Sequence, residues 1–140
     1  MEVSNFKAHF DIRHPSRAAI EIVEAMPIVA STIHSFGEAR KNKRGDSLQG
    51  VYERTYVSFR LDTSAYTSIS AFLEHMLKEP FVSAKIIKDI VNTGGQASIY
   101  ISIFCKENSG FSLDHSLLAK LSAKMITLDL DIYPDVDESK

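Results

Sequence analysis

Three observations predict an α+β fold: a mostly antiparallel sheet with helices on one face, in ferredoxin-like β-α-β-β-α-β order plus an extra α-β unit. Several segments alternate apolar and polar residues with a period of two. Others repeat aliphatic residues at helical spacing, and the two kinds interleave along the chain. The 140 residues suit one domain spanning 1–140, with an acidic tail from about 134.

FKAHFDIR opens the pattern, with Phe6, Ala8, Phe10 and Ile12 on one side and Lys7, His9, Asp11 and Arg13 on the other. That alternation predicts a half-buried strand. His14-Pro15 ends it, and RAAIEIVEAM places Ala19, Ile20, Val23 and Met26 on one helical stripe before Pro27. A strand over 32–36 and a second one in VYERTYVSFRLD then read as a hairpin, with the polar segment ARKNKRGDSLQG at its tip. TSISAFLEHMLKEP predicts a helix capped by Thr67 or Ser68, interrupted at Pro80 and resumed in SAKIIKDIVN until Thr93-Gly94-Gly95. ASIYISIF is the strongest strand signal, and KENSG turns the chain. Ser112 or Asp114 caps a helix carrying Leu117, Leu118, Leu121 and Met125. MITLDLDIY alternates once more, setting Ile126, Leu128, Leu130 and Ile132 against Thr127, Asp129, Asp131 and Tyr133.

The early helix ending in MPI, the GEARKNKRG…GVYERTYVSFRLD hairpin and the closing FSLDHSLLAKLSAKMITLDLDIYP together resemble the bacterial family known only as domain of unknown function 4279. The resemblance runs from about residue 6 to 133. It implies an uncharacterised bacterial protein of the same strand-helix order, and some members look like immunity or accessory proteins of toxin systems. No catalytic residue comes with it. Where relatives place a Trp in the hairpin strand, this chain has none, so Tyr52 or Tyr56 stands in.

Composition narrows the function further. With 16 Lys and Arg against 18 Asp and Glu, the chain lacks the broad basic field of a nucleic-acid binder. No apolar stretch reaches membrane-spanning length, and MEVSNFKAHFDIRH reads as no signal peptide, so no membrane contact and a cytoplasmic location are expected. The single cysteine, Cys105, lies in an apolar run and reads as a small hydrophobe rather than a nucleophile. No GxGxxG, P-loop, GxSxG or HExxH phrase is present, and the five histidines are scattered, so neither a cofactor nor a catalytic residue is expected. Asp129 and Asp131 share a strand face and could hold a cation, although the solvated side of a terminal strand explains them better.

Two surfaces remain. Arg40, Lys41, Lys43 and Arg44 crowd the hairpin tip, where like charges stay solvated or meet an acidic partner. On the helix-free side of the sheet, Tyr52, Arg54, Tyr56, Arg60, Tyr100, Asp129 and Asp131 are expected to join His9, Asp11 and Arg13. Tyr and Arg favour a protein interface, while the aspartates oppose RNA. The expectation is a non-enzymatic binding protein with a protein partner or a second copy of itself. A small-molecule or metal-dependent enzyme on the open face is the alternative, and nucleic-acid binding comes third.

Overall fold

The alternating residues of the first strand set the layering. In a computed structural model described for residues 5–78, 83–105 and 110–134, Phe6, Ala8, Phe10 and Ile12 of β1 (Phe6–His14) are all buried on one side. Val57 and Phe59 of β5 (Thr55–Leu61) and Ala97, Ile99, Ile101 and Ile103 of β6 (Gln96–Cys105) join them. The helices lie against this side: α1 (Ala19–Ala25), α2 (Ile69–Lys78), α3 (Ala84–Asn92) and α4 (His115–Ala123) bring Ile22, Phe72, Leu73, Ile90 and Leu117 into the same core. Burying each such side chain is worth about 1.5–3 kcal/mol, which holds the two layers together.

The main sheet runs β2-β5-β1-β6-β7, with β2 (Thr32–His34) and β7 (Ile126–Pro134) at its edges. Its pairings are antiparallel except for β6 with β7, which run parallel across α4. This is the expected α+β sandwich. Ser68 caps α2 by accepting from the Ala71 N–H at 3.3 Å, Ser83 caps α3, and Asp114 caps α4 at 2.8 Å. Pro80 and KENSG fall largely outside the described residues, as does the acidic tail beyond Pro134.

Two local differences have clear causes. The first helix begins at Ala19, not Arg17, because the chain first turns around the His14 ring, whose Nδ1 accepts from the N–H groups of Ser16 and Arg17 at 3.1 and 2.8 Å. The Ala19 N–H is then capped from a distance by the Ser35 hydroxyl at 2.9 Å. The expected long strand over 51–61 is interrupted. Thr55 is fully buried, accepting from the Phe36 N–H at 2.9 Å and donating to the Arg17 carbonyl at 2.5 Å. That anchors the start of β5, and the chain before it leaves the sheet as a separate ribbon of β3 (Ala39–Lys41) and β4 (Ser47–Val51). Gly37 and Gly50, at φ +82° and +88°, take the left-handed backbone conformations near its base.

Candidate functional site

Cross-strand register assembles the helix-free face in rows. Asp11 stands between Ser58 and Ser98, His9 between Arg60 and Tyr100, and Arg13 between Tyr56 and Gln96. On β7, Asp129 lies opposite Tyr100 and Asp131 opposite Ser102. Tyr56, Arg60, Tyr100, Asp129 and Asp131 therefore share this face with His9, Asp11 and Arg13, as their alternation implies.

Much of the face is paired with itself. Arg13 lies over the Tyr56 ring at 4.9 Å, and His9 stacks on Tyr100 at 5.1 Å with the rings 3° from parallel. Beneath these side chains Asp11 is 1% exposed, contrary to its expected place on an open surface. Its carboxylate accepts from the Ser58 hydroxyl at 2.6 Å and lies 3.3 Å from His9 Nδ1, with the Arg13 guanidinium at 3.9 Å. A charge so deeply placed is tolerable because it is hydrogen-bonded and flanked by a cation. Ser98, on its other side, is fully buried, and its hydroxyl has no partner among the described residues.

At the β7 edge the Tyr100 and Tyr133 hydroxyls both donate to Asp131, the latter at 2.6 Å. These donors hold the Asp131 carboxyl below its usual range, while the carboxylate pushes both phenols up. Asp131 is thus occupied by phenols. Among the described residues no group of three His, Cys, Asp or Glu side chains could hold a metal ion. Cys105 is half-buried with a free thiol.

Tyr52 and Arg54 do not continue the rows, because β5 begins only at Thr55. Tyr52 rejoins the face by another route, stacking on His34 at 4.3 Å, and His34 in turn contacts Tyr56 at 6.0 Å. Its hydroxyl accepts from the Lys41 N–H at 3.1 Å and donates to the Lys41 carbonyl at 3.2 Å, pinning the ribbon to the sheet. Arg54 is exposed and lines a hollow of about 460 Å³ with Arg40, Val51, Tyr52 and Glu53.

The ribbon carries the basic residues. Arg40 and Lys41 lie on β3, while Lys43 and Arg44 occupy the turn. Asn42 shapes that turn by accepting from the N–H groups of Arg44 and Asp46 at 2.9 and 3.0 Å. Every residue from 36 to 51 is exposed, and among the described residues none of the four cations makes an ion pair.

The residues missed by the candidate set are Lys7, Ser58, Ser98 and Ser102. Lys7 alternates with His9 and was visible on the same face, but the serines carry no sequence signal. Only pairing puts them beside Asp11 and Lys7.

Fold and surface together define an α+β protein with one helix-covered face, one polar aromatic face and a projecting basic ribbon. No helix among the described residues is long and apolar enough to cross a membrane. No protein-family model, curated protein or solved structure matches the chain.

Proposed function

We propose that this is a non-enzymatic binding protein of the immunity type, which engages an acidic protein partner through the β3–β4 ribbon. The observation that carries the reading is the ribbon itself: four cations without ion-pair partners among the described residues, on a segment exposed throughout. Exposed Leu48 and Val51 on the ribbon and Ile33 and Phe36 before it offer apolar area beside the charge. The Tyr52–His34 stack and the Tyr52 hydroxyl hold the ribbon in place, which lowers the ordering cost of binding. The helix-free face, by contrast, spends most of its aromatic and charged groups on one another, so it supports the ribbon more than it competes with it. Glu38, Asp46 and Glu53 interrupt the basic surface and disfavour a phosphate backbone as the partner.

The family reading belongs to the same proposal: the MPI helix, the GVYERTYVSFRLD segment and the closing helix-strand unit support membership in the domain of unknown function 4279 family and a bacterial, cytoplasmic setting. Likewise, the order β2-β5-β1-β6 with β7 added parallel supports a ferredoxin-like unit extended by α4-β7.

The test uses a complex recovered from host cells and rebuilt from purified components. A 1:1 complex is expected whose association slows with salt and slows by about tenfold or more when Arg40, Lys41, Lys43 and Arg44 are all changed to Gln. A complex indifferent to both changes refutes the ribbon as the docking element. Retardation of DNA at moderate salt, lost in the same variant, would replace the protein partner with nucleic acid.

A further inference from the structure

A second site stands apart from the ribbon, where the helix-free face is not tiled over. Lys7, His9, Arg60, Thr63, Ser102 and Phe104 help line a hollow of about 480 Å³, within the range of small-molecule sites. Three strands converge there. His9 is directly opposite Arg60 on β5, Lys7 is directly opposite Ser102 on β6, and Lys7 and His9 lie two residues apart on β1. Directly opposite side chains stand about 5 Å apart at their Cβ atoms and diagonal ones such as Lys7 and Arg60 about 7–8 Å, within reach of long side chains that meet on one ligand group. The Lys7 and Arg60 side chains are exposed and have no ion-pair partner among the described residues.

His9 is oriented toward the same purpose. Its ring is fixed by stacking on Tyr100, and Nδ1 faces the Asp11 carboxylate at 3.3 Å. A carboxylate accepts only, so Nδ1 carries a proton and Nε2, at the other end of the ring, is the nitrogen left for a ligand. Ser58, donating to Asp11 at 2.6 Å, holds the carboxylate that holds the ring. The neighbouring acids are otherwise placed: Asp131 is taken by the Tyr100 and Tyr133 hydroxyls, Asp129 lies across Tyr100, and Asp62 accepts from the Ser64 hydroxyl and N–H. Phe104, stacked on Tyr133 at 5.3 Å, gives the hollow a fixed apolar wall.

We propose that this hollow binds a small organic phosphate, with the phosphoryl group between Lys7 and Arg60, the Ser102 hydroxyl and, when the ring carries both protons, the His9 Nε2–H as further donors, and the organic part against Phe104. Two cations suit a dianion, and the arginine fork offers two parallel hydrogen bonds to its oxygens.

The test is an amide NMR titration of the full chain with phenyl phosphate, inorganic phosphate and benzoate. Saturable shifts are expected around Lys7, His9, Arg60 and Ser102, with phenyl phosphate binding tightest because it alone satisfies both the cations and the apolar wall. Arg60→Gln and Lys7→Gln should each weaken it by about tenfold, whereas Lys43→Gln with Arg44→Gln leaves it unchanged. Benzoate binding as tightly as phenyl phosphate would make the site a carboxylate site and overturn the phosphate assignment. No saturable shift at millimolar phenyl phosphate, or shifts centred on the ribbon, would overturn the site itself. The ribbon's role in protein binding stands or falls separately, since none of its residues lines this hollow.

Discussion

Acidifying the solution from about pH 8 to about pH 5 should loosen this fold through one buried imidazole. His14 is 3% exposed at the end of β1. Its Nδ1 accepts from the N–H groups of Ser16 and Arg17, so the proton of the neutral ring sits on Nε2 and is donated to Thr93 Oγ1 at 2.8 Å. The Thr93 hydroxyl passes its own proton to the Asp89 carbonyl at 2.7 Å. A second proton would have to enter at Nδ1, displacing two backbone donors beside the Arg17 guanidinium. Burial first, and then the Arg17 charge, hold the His14 pKa below its ordinary 6.5; Arg54 adds to this, while Asp89 and Glu21 oppose it. The unfolded chain therefore takes up a proton at about 6.5 that the native state refuses. This contribution to stability is complete above that pH and is lost as the pH falls from it toward the native value, at no more than about 1.4 kcal/mol per pH unit. His14→Ala removes the acceptor for two N–H groups and the link to Thr93, a cost of about 2–4 kcal/mol at neutral pH. Urea denaturation of both proteins across the pH range measures the difference. It should be largest above pH 6.5 and shrink below it. A difference that stays constant through the acid range would show that His14 is not the proton-linked group.

Other perturbations have equally definite outcomes. A Cβ at Gly95 would stand 2.6 Å from the Arg13 carbonyl oxygen and 2.7 Å from Ile90 Cγ2, so Gly95→Ala should destabilise by about 3 kcal/mol; an unchanged melting temperature would contradict the close approach of the α3–β6 turn to β1. Ser58→Ala takes the 2.6 Å donor from buried Asp11 and should cost about 1–3 kcal/mol, whereas Ser98→Ala removes a hydroxyl without a partner among the described residues and should be neutral or stabilising. Equal costs in chemical denaturation would disprove that contrast. Ultraviolet titration of the phenols should find Tyr100 and Tyr133 still protonated above pH 10.0, and Asp131→Asn should return both toward that value. Because these phenols are raised, any stability they supply is present below pH 10.0 and declines as the pH rises through their native range.

Local periodicity carried much of the fold. Phe6, Ala8, Phe10 and Ile12 announced both a strand and the side it buries, and Ile126 to Ile132 did the same at the far edge, although Leu130 and Ile132 emerge from under the helices at 41% and 60% exposure. Caps were readable too, since Ser68 and Asp114 can act only on the N–H groups that follow them. The ribbon was harder to see. Its glycines mark turns, but Thr55 breaks the strand by bonding to Phe36 and Arg17, far from it in the chain.

From sequence alone came the α+β class, the buried faces of the first and last strands and the grouping of four cations near one tip, because each depends on neighbours a few residues apart. Tertiary structure alone decided that Asp11 is buried between two serines, that Tyr52 fastens the ribbon, and that Lys7, Arg60 and Ser102 surround one hollow. Those juxtapositions depend on register between strands distant in the chain. Register follows from how the whole core packs, which no local pattern encodes.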